Sequence, residues 1–383
     1  MTPREAPPAL GTRGRPGIYR RAREGARVAF HRRGFADARW SFLFGRDTRY
    51  RAPEAETSAV AAAARRARTG PLSREPSGEP GVQGPVIKAA VWTWEVPLYF
   101  WFGGIAAGSS FVALACDLAG DHRSAATARK VALGATAPCP LLLISDLGRP
   151  ARFLNMLRVF KPRSPMSMGA WCLTAFGTVG AAAVAADALG QRRAARALGG
   201  ANAALGGYLG SYTGVLLAST AVPLWSRSRL LLGPIFACTA TATGAAAVRL
   251  VLVATGLPAG HPSRAALGRV ETAAIASELA LSSLNHRRLG SLARPLDEGR
   301  TGRLFKGGKG AIGAGLALRL LRRGGPATHH AASALYLVGG LLFRYAWVSA
   351  GRASAADDEA VARAARGERR TSGPVAERPA RTV

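Results

Sequence analysis

The chain of 383 residues has few of the residues that build disulfide scaffolds or metal clusters. It contains four cysteines, and no two of them have the C-x-x-C spacing: Cys116, Cys139, Cys172 and Cys238. Four cysteines are too few for a disulfide scaffold in so long a chain, and iron–sulfur clusters need closely spaced thiolates. The sequence therefore predicts buried core cysteines and no iron–sulfur cluster in this chain.

Histidine is also scarce, and none occurs in the middle of a long apolar run. The six histidines lie in tails, loops or the ends of apolar runs: His31, His122, His261, His286, His329 and His330. A b-type haem within a membrane needs two facing histidines at mid-depth, so we expect no haem. The chain also lacks a Gly-rich dinucleotide motif and a P-loop. Metal ligation is not predicted, and redox metals would have to come from partner subunits.

Acidic residues are few, since 22 Asp and Glu stand against 52 Lys and Arg, and the net charge is +30. Such an excess would suggest nucleic-acid binding if it covered a soluble domain. However, 48% of the chain is apolar, and the basic residues are concentrated in tails and loops between uncharged runs. The distribution predicts a membrane protein that does not bind nucleic acid.

Long runs without charge dominate the rest of the chain. A bilayer core of about 30 Å requires roughly 20 mostly apolar residues in a spanning helix. Six runs approach or exceed this length, and two shorter Gly- and Ala-rich runs bring the number to eight. The first six are residues 96–116, 131–145, 164–186, 197–226, 230–248 and 331–351, and the other two are 269–284 and 307–321. The sequence predicts an all-α, polytopic transmembrane helix bundle of about eight spans.

The charged segments divide the chain into three regions. Residues 1–85 are basic and rich in Pro and Gly, so we expect a largely disordered N-terminal extension, with a helix near 17–40 and an interaction segment at 40–50. Residues 86–355 form the predicted transmembrane domain, and 356–383 a disordered tail. No apolar run near Met1 resembles a signal peptide. Lys and Arg are more numerous in the loops of one side, which predicts both termini in the cytoplasm.

The densest local signal lies between the second and third predicted spans. Asp146 ends the apolar run, and Arg149 and Arg152 follow three and six residues later. Residues 153–160 form an amphipathic turn that would lie along the membrane surface, and Pro162 and Pro165 end it. A carboxylate beside guanidinium groups can act as a functional pair, but an interfacial loop anchored by a salt bridge explains the pattern equally well.

This segment resembles the NrfD / polysulfide-reductase membrane-subunit family. The motif DLGRP-x-RF…MLR-x-x-K-x-x-SPM-x-x-G-x-W is present at residues 146–171. Other segments are similar to the family's first, fourth and last spans: VPLYFWFGGIAAGS at 96–109, YTGVLLASTAVPLW at 212–225 and GGLLFRYAWVSAG at 339–351. The resemblance covers about residues 85–355, with its motifs in the expected order.

The resemblance implies an integral subunit of a respiratory oxidoreductase complex in the inner (cytoplasmic) membrane. Such a subunit exchanges electrons and protons between the quinone pool, with menaquinone expected, and a four-cluster iron–sulfur subunit. A molybdopterin catalytic subunit commonly completes the complex, as in anaerobic respiration. Two alternatives remain open. One is a membrane docking scaffold without quinone chemistry, and the other is a secondary transporter, for which the expected inverted repeat is not evident.

A quinone site needs an apolar slot, hydrogen-bond partners for two carbonyls and a protonatable group. Asp146 and Arg149 are the first candidates, as a paired relay or a pocket wall. Tyr212 matches a tyrosine associated with the family's quinone pocket. Tyr99 and Glu95, at the start of the first span, would supply a donor and a proton relay. A structural role in an interfacial aromatic belt is the alternative for the tyrosines.

Four charged residues lie deeper within the predicted spans: Arg249, Glu271, Glu278 and Arg344. Intramembrane charges are costly in lipid and indicate function. Glu271 and Glu278 are seven residues apart, which places them on one helix face, where they could meet Arg249 or Arg344. Both a proton path and a structural ion pair fit this pattern.

Overall fold

The computed structural model describes residues 87, 90–147, 153–320, 325–358 and 360–361. Arg149, the predicted N-terminal extension and most of the predicted C-terminal tail lie outside these residues. The helix predicted near 17–40 and the segment at 40–50 also lie outside them.

The described residues form helices and contain no strand. There are twelve α-helices in this part of the chain, and one 3₁₀ turn, Gly290–Ala293, lies between α9 and α10. They are α1 (Glu95–Leu118), α2 (His122–Thr136), α3 (Pro138–Asp146), α4 (Phe153–Arg158), α5 (Pro165–Ala188), α6 (Arg192–Ala218), α7 (Pro223–Arg227), α8 (Leu232–Ala254), α9 (Pro262–Leu289), α10 (Arg294–Asp297), α11 (Gly299–Leu320) and α12 (Pro326–Ala355).

Helices occupy all eight predicted spans, and the all-α fold class is confirmed. Four of them, α1, α5, α8 and α12, are each long and apolar enough to cross a membrane by length and composition. The run at 131–145 is divided between α2 and α3, because Pro138 begins a new helix at its N-terminal position. The other three, α6, α9 and α11, are 22 to 28 residues long but carry more charge.

Successive long helices run in alternating directions, so the bundle has two ends. End A holds the starts of α1, α5, α8 and α11, and end B holds the starts of α2, α6, α9 and α12. At end A the Trp92 ring stacks on Trp225 with 5.4 Å between centroids, and the Trp225 indole donates to the Trp347 carbonyl at 2.9 Å. At end B the Arg264 guanidinium lies 3.2 Å from the His330 imidazole.

The turns at end B follow from local sequence. Gly120 and Gly190 end α1 and α5 with φ of 77° and 71°, a conformation that glycine adopts without strain. Asp121 then caps α2 by accepting a hydrogen bond from the Ser124 amide at 3.0 Å. The Ser263 hydroxyl at the start of α9 also donates to Asp121, which joins two hairpins of the bundle.

The helices pack as two halves. The first half contains α1, α2, α3, α5 and α6, and the second contains α8, α9, α11 and α12, with α8 packed on both α1 and α6. At the joint, a methyl group on Gly108 would lie 2.0 Å from the Ala240 carbonyl oxygen. The backbones of α1 and α8 therefore touch, as small residues allow in membrane bundles. Aromatic rings of Phe100, Phe236 and Phe343 fill the core beside this contact.

Candidate functional site

Four of the predicted quinone-site residues lie at end A of the first half. Glu95 begins α1 and Tyr99 follows one turn later, Asp146 is the last residue of α3, and Tyr212 lies in the last two turns of α6. Tyr99 interacts electrostatically with Tyr212, and Asp146 interacts with Glu95. Sequence-distant residues are thus brought together as a pair of phenols and a pair of carboxylates.

The Tyr212 side chain is held in a tight slot between α5 and α6. It is 4% exposed, and its ring stacks on Tyr208 with 5.6 Å between centroids. A methyl group on Gly169 would lie 2.1 Å from Cζ and 2.2 Å from the phenol oxygen of Tyr212. The absence of a side chain at Gly169 therefore makes room for the phenol. This glycine belongs to the SPM-x-x-G-x-W motif, and its role becomes visible only in the packed structure.

The start of α5, which carries Gly169, is fixed by its own sequence. Ser164 caps the helix by accepting from the Ser167 amide at 3.4 Å, and Pro165 occupies the first turn. The short helix α4 precedes it, as the amphipathic pattern predicts, and both Leu154 within α4 and Phe160 just after it are exposed. Phe160 packs edge-on against Trp171 of α5 at 5.9 Å. An apolar surface therefore flanks the slot at end A.

The phenols have free hydrogen-bonding capacity. Tyr99 is 3% exposed, and within the described part of the chain neither its hydroxyl nor that of Tyr212 hydrogen bonds to protein. The thiols of Cys139 and Cys172 lie in the same neighbourhood. Buried phenols without protein partners are suited to donate to a ligand carbonyl in an apolar slot.

The carboxylates lie next to this slot. Glu95 is 2% exposed and accepts a hydrogen bond from the Thr93 hydroxyl. Asp146 is half-buried, so it is partly accessible from the surface, and it lies near Glu95. Burial, together with the negative charge of nearby Glu95, raises the pKa of Asp146 to about 6. The predicted partner of Asp146, Arg149, lies outside the described residues.

The deep charges at end B of the second half form a hydrogen-bonded network. Glu271 accepts from the Arg319 guanidinium and from the Ser333 hydroxyl, the latter at 2.9 Å. Arg249 donates to the same hydroxyl at 3.0 Å and to the His329 carbonyl at 2.7 Å. Glu271 and Arg249 thus meet through Ser333, but the direct ion-pair partner of Glu271 is Arg319, which the sequence did not single out.

Glu278 and Arg344 lie deeper in the bundle and do not hydrogen bond to each other. The Arg344 guanidinium lies 3.7 Å above the Phe236 ring, and one of its nitrogens donates to the Phe236 carbonyl at 3.1 Å. Glu278 is 1% exposed and interacts electrostatically with Arg344 and Lys309. Within the described residues, neither carboxylate oxygen of Glu278 has a hydrogen-bond partner.

A third charged cluster, at end B of the first half, was missed by the sequence analysis. Arg129 binds Asp187 through two hydrogen bonds of 2.6 and 2.8 Å and Asp117 through one of 2.6 Å. Each aspartate stands three residues before a glycine that ends its helix, and this repeated pattern is the signal that was available. Gly199 leaves room for the Arg129 guanidinium, 3.2 Å from where its methyl group would lie. The cluster joins α1, α2 and α5.

The described residues offer no metal centre, since no group of three or more His, Cys, Asp or Glu side chains among them is arranged to hold an ion. The four cysteines are free thiols, two of them buried. The residues at end A instead suit an organic ligand with acceptor oxygens.

Comparison with known protein families assigns most of the helical region to a family. The family model described as "Polysulphide reductase, NrfD" matches residues 85–284, which is more than half of the chain. A search of curated proteins found none that matches. The matched range contains the phenol and carboxylate pairs of end A and the two glutamates of α9.

Proposed function

The chain belongs to the NrfD (polysulphide reductase) family, and from this premise we propose that it exchanges electrons and protons between the quinone pool and a partner iron–sulfur subunit. The family and the apolar helices make it an integral membrane protein. The observation that carries the proposal is the pair of buried phenols, Tyr99 and Tyr212, beside the carboxylates of Glu95 and Asp146.

Quinone, when bound, supplies two-electron redox chemistry with the uptake or release of two protons. The chain's own residues bind and orient the ring. Tyr99 and Tyr212 donate hydrogen bonds to the carbonyl oxygens, and Gly169 positions Tyr212. The carboxyl groups of Glu95 and Asp146 hold and pass protons, with half-buried Asp146 on the path to the surface. The redox metals belong to partner subunits.

End A is the proposed docking face for the iron–sulfur subunit, because the quinone site lies at this end. The exposed apolar side chains of Leu154, Phe160 and Met166 flank the site and would be covered by partner or lipid. A molybdopterin catalytic subunit beyond it would supply substrate specificity. We further propose that the quinone is menaquinone. The complex would lie in the inner (cytoplasmic) membrane, with end A and both chain termini facing the cytoplasm.

Binding of a quinone analogue to the purified full-length protein tests the site. A hydroxyquinoline N-oxide is titrated against wild type, Tyr212→Phe and Asp146→Asn in lipid nanodiscs. Each variant removes one polar interaction of about 1 kcal/mol, so we expect the Kd to rise roughly fivefold. Tyr336→Phe is the matched control, because Tyr336 is a fully buried phenol that lies in the second half, near the Glu271 network and away from end A.

An unchanged Kd in Tyr212→Phe and Asp146→Asn would refute the site, and so would an equal rise in Tyr336→Phe. Wild-type protein that co-purifies with an iron–sulfur partner but does not bind the analogue would favour the docking-scaffold alternative.

A further inference from the structure

The buried face of α9 carries a line of polar side chains through the second half. Glu278, Ser282 and Asn285 follow one another at spacings of four and three residues, and each is at most 2% exposed. At 1.5 Å per residue this line is about 10 Å long. Its end A terminus is anchored, because the Asn285 amide donates to the Ser228 hydroxyl at 3.0 Å.

Several atoms on this line lack partners. Both carboxylate oxygens of Glu278, the hydroxyl of Ser282 and one terminal nitrogen of Arg344 are buried and make no hydrogen bond within the described residues. Buried polar groups are usually satisfied, so a group of adjacent unsatisfied atoms needs an explanation. An ionised carboxylate without hydrogen bonds is strongly disfavoured, whereas a protonated one is far less costly.

The charged and titratable groups that interact with Glu278 come from every helix packed around it. They are Cys238 of α8, Lys309 of α11 and Arg344 of α12. Lys309 is half-buried, with its ammonium 4.8 Å from the Phe305 ring centre, and Arg344 is held by Phe236. Both cations are placed to compensate part of the charge of a carboxylate at this depth.

The buried face of α9 differs in polarity on the two sides of Glu278. Toward end B, the next residue on the same face is Ile275, which is fully buried among Ala246, Ile312 and Tyr336. This layer is apolar apart from the Tyr336 hydroxyl, which lies close to Arg319 of the Glu271 network. Toward end A, the next residues on the face are Ser282 and Asn285, both polar. Along the face of α9, a proton therefore has polar side chains to follow toward end A, whereas toward end B it meets the apolar side chain of Ile275.

We propose that Glu278 is a proton-exchanging carboxyl group that is loaded and unloaded from end A through Ser282 and Asn285. In the step, the carboxyl O–H bond breaks and the proton passes to a water molecule that enters along the polar line. The carboxylate that remains is stabilised by Arg344, and no electrons are transferred. The site is separate from the tyrosines of the first half and does not depend on the proposed quinone chemistry.

Infrared spectroscopy of the full-length protein in nanodiscs tests this proposal without added quinone. In wild type at neutral pH we expect a protonated-carboxyl stretching band that moves to lower wavenumber in D₂O. The band should be absent in Glu278→Gln and present in Glu278→Asp, which also shows that the site tolerates substitution. Ser282→Ala should slow the D₂O shift, whereas Ser333→Ala, at end B, should leave its rate unchanged.

Three results would overturn the proposal. A spectrum that is the same in Glu278→Gln would mean that the carboxylate is ionised in a structural pair with Arg344. A Glu278 band that does not move in D₂O would show a trapped proton. A rate reduced as much by Ser333→Ala as by Ser282→Ala would contradict access from end A.

Discussion

Gly169→Ala is the substitution for which the structure gives the sharpest expectation. The added methyl group would lie 2.1 Å from Cζ of Tyr212, whereas carbon atoms pack at about 3.5–4.0 Å. The Tyr212 ring must therefore move by about 1.5 Å. Such overpacking costs about 1–3 kcal/mol, against a gain of up to about 1 kcal/mol in helix propensity. We expect lower stability and a rise of roughly fivefold in the Kd for the quinone analogue, because the phenol loses its hydrogen bond of about 1 kcal/mol.

Gly177→Ala is the matched control on the same helix. Its methyl group would lie 3.6 Å from the Thr136 side chain, which is ordinary van der Waals contact. This variant gains the same helix propensity without a clash. Its thermal unfolding temperature should therefore equal or exceed that of wild type, and its affinity for the analogue should be unchanged or higher.

A double-mutant cycle tests the cause of the Gly169→Ala effect. With Tyr212→Ala the clash is gone, so the cost of Gly169→Ala to thermal stability should disappear in that background. An equal cost with and without the Tyr212 ring would refute the reasoning, because the methyl group would then disturb something other than the phenol.

Two further predictions concern end B. Arg129→Met should lower the free energy of unfolding by about 3–5 kcal/mol in chemical denaturation, because it leaves Asp117 buried, 1% exposed, without its cation. Arg294→Ala, which breaks an exposed ion pair, should cause no measurable change in the same assay. Partial burial tends to raise the pKa of Asp121, but hydrogen bonds from Ser124 and Ser263 outweigh it and lower the pKa below 3.8. The ionised Asp121 therefore stabilises the folded protein above pH 3.8. This stabilisation is lost as the pH falls through the lower pKa of the folded state. Asp121→Asn should therefore flatten the acid limb of a stability–pH curve, and an unchanged acid limb would contradict this.

The helices were predictable because uncharged runs report burial in lipid directly. The residues at which the helices begin and end were harder to predict from the sequence. The run at 131–145 reads as one span, although Pro138 and Pro140 within it signalled a break. Helix α9 extends well beyond the predicted 269–284, from Pro262 to Leu289. Its buried stripe continues from Leu267 to Leu289, and the arginines between them, Arg269, Arg287 and Arg288, remain exposed.

Part of the candidate site could be predicted from the spacing of residues along a single helix. The spacing of Glu271 and Glu278 placed both on one helix face, where the structure has them. Their partners could not be assigned, because Arg319 lies on another helix 48 residues away from Glu271 and only packing brings them together. The placement of Tyr212 against Gly169 likewise depends on the contact between α5 and α6.

The Trp92–Trp225 stack holds the start of the helical domain at end A, close to where the domain ends, and this bears on circular permutation of the chain. The Arg352 guanidinium, at the end of α12, donates to the Trp92 carbonyl at 3.2 Å, so the helical domain is entered and left at neighbouring points on one face. Nearby termini favour circular permutation. A short linker from residue 356 to residue 91 would close the domain into a ring, and new termini could then be opened in an end B turn such as 119–121. Both ends of the permuted chain would then emerge on the face opposite the proposed docking site.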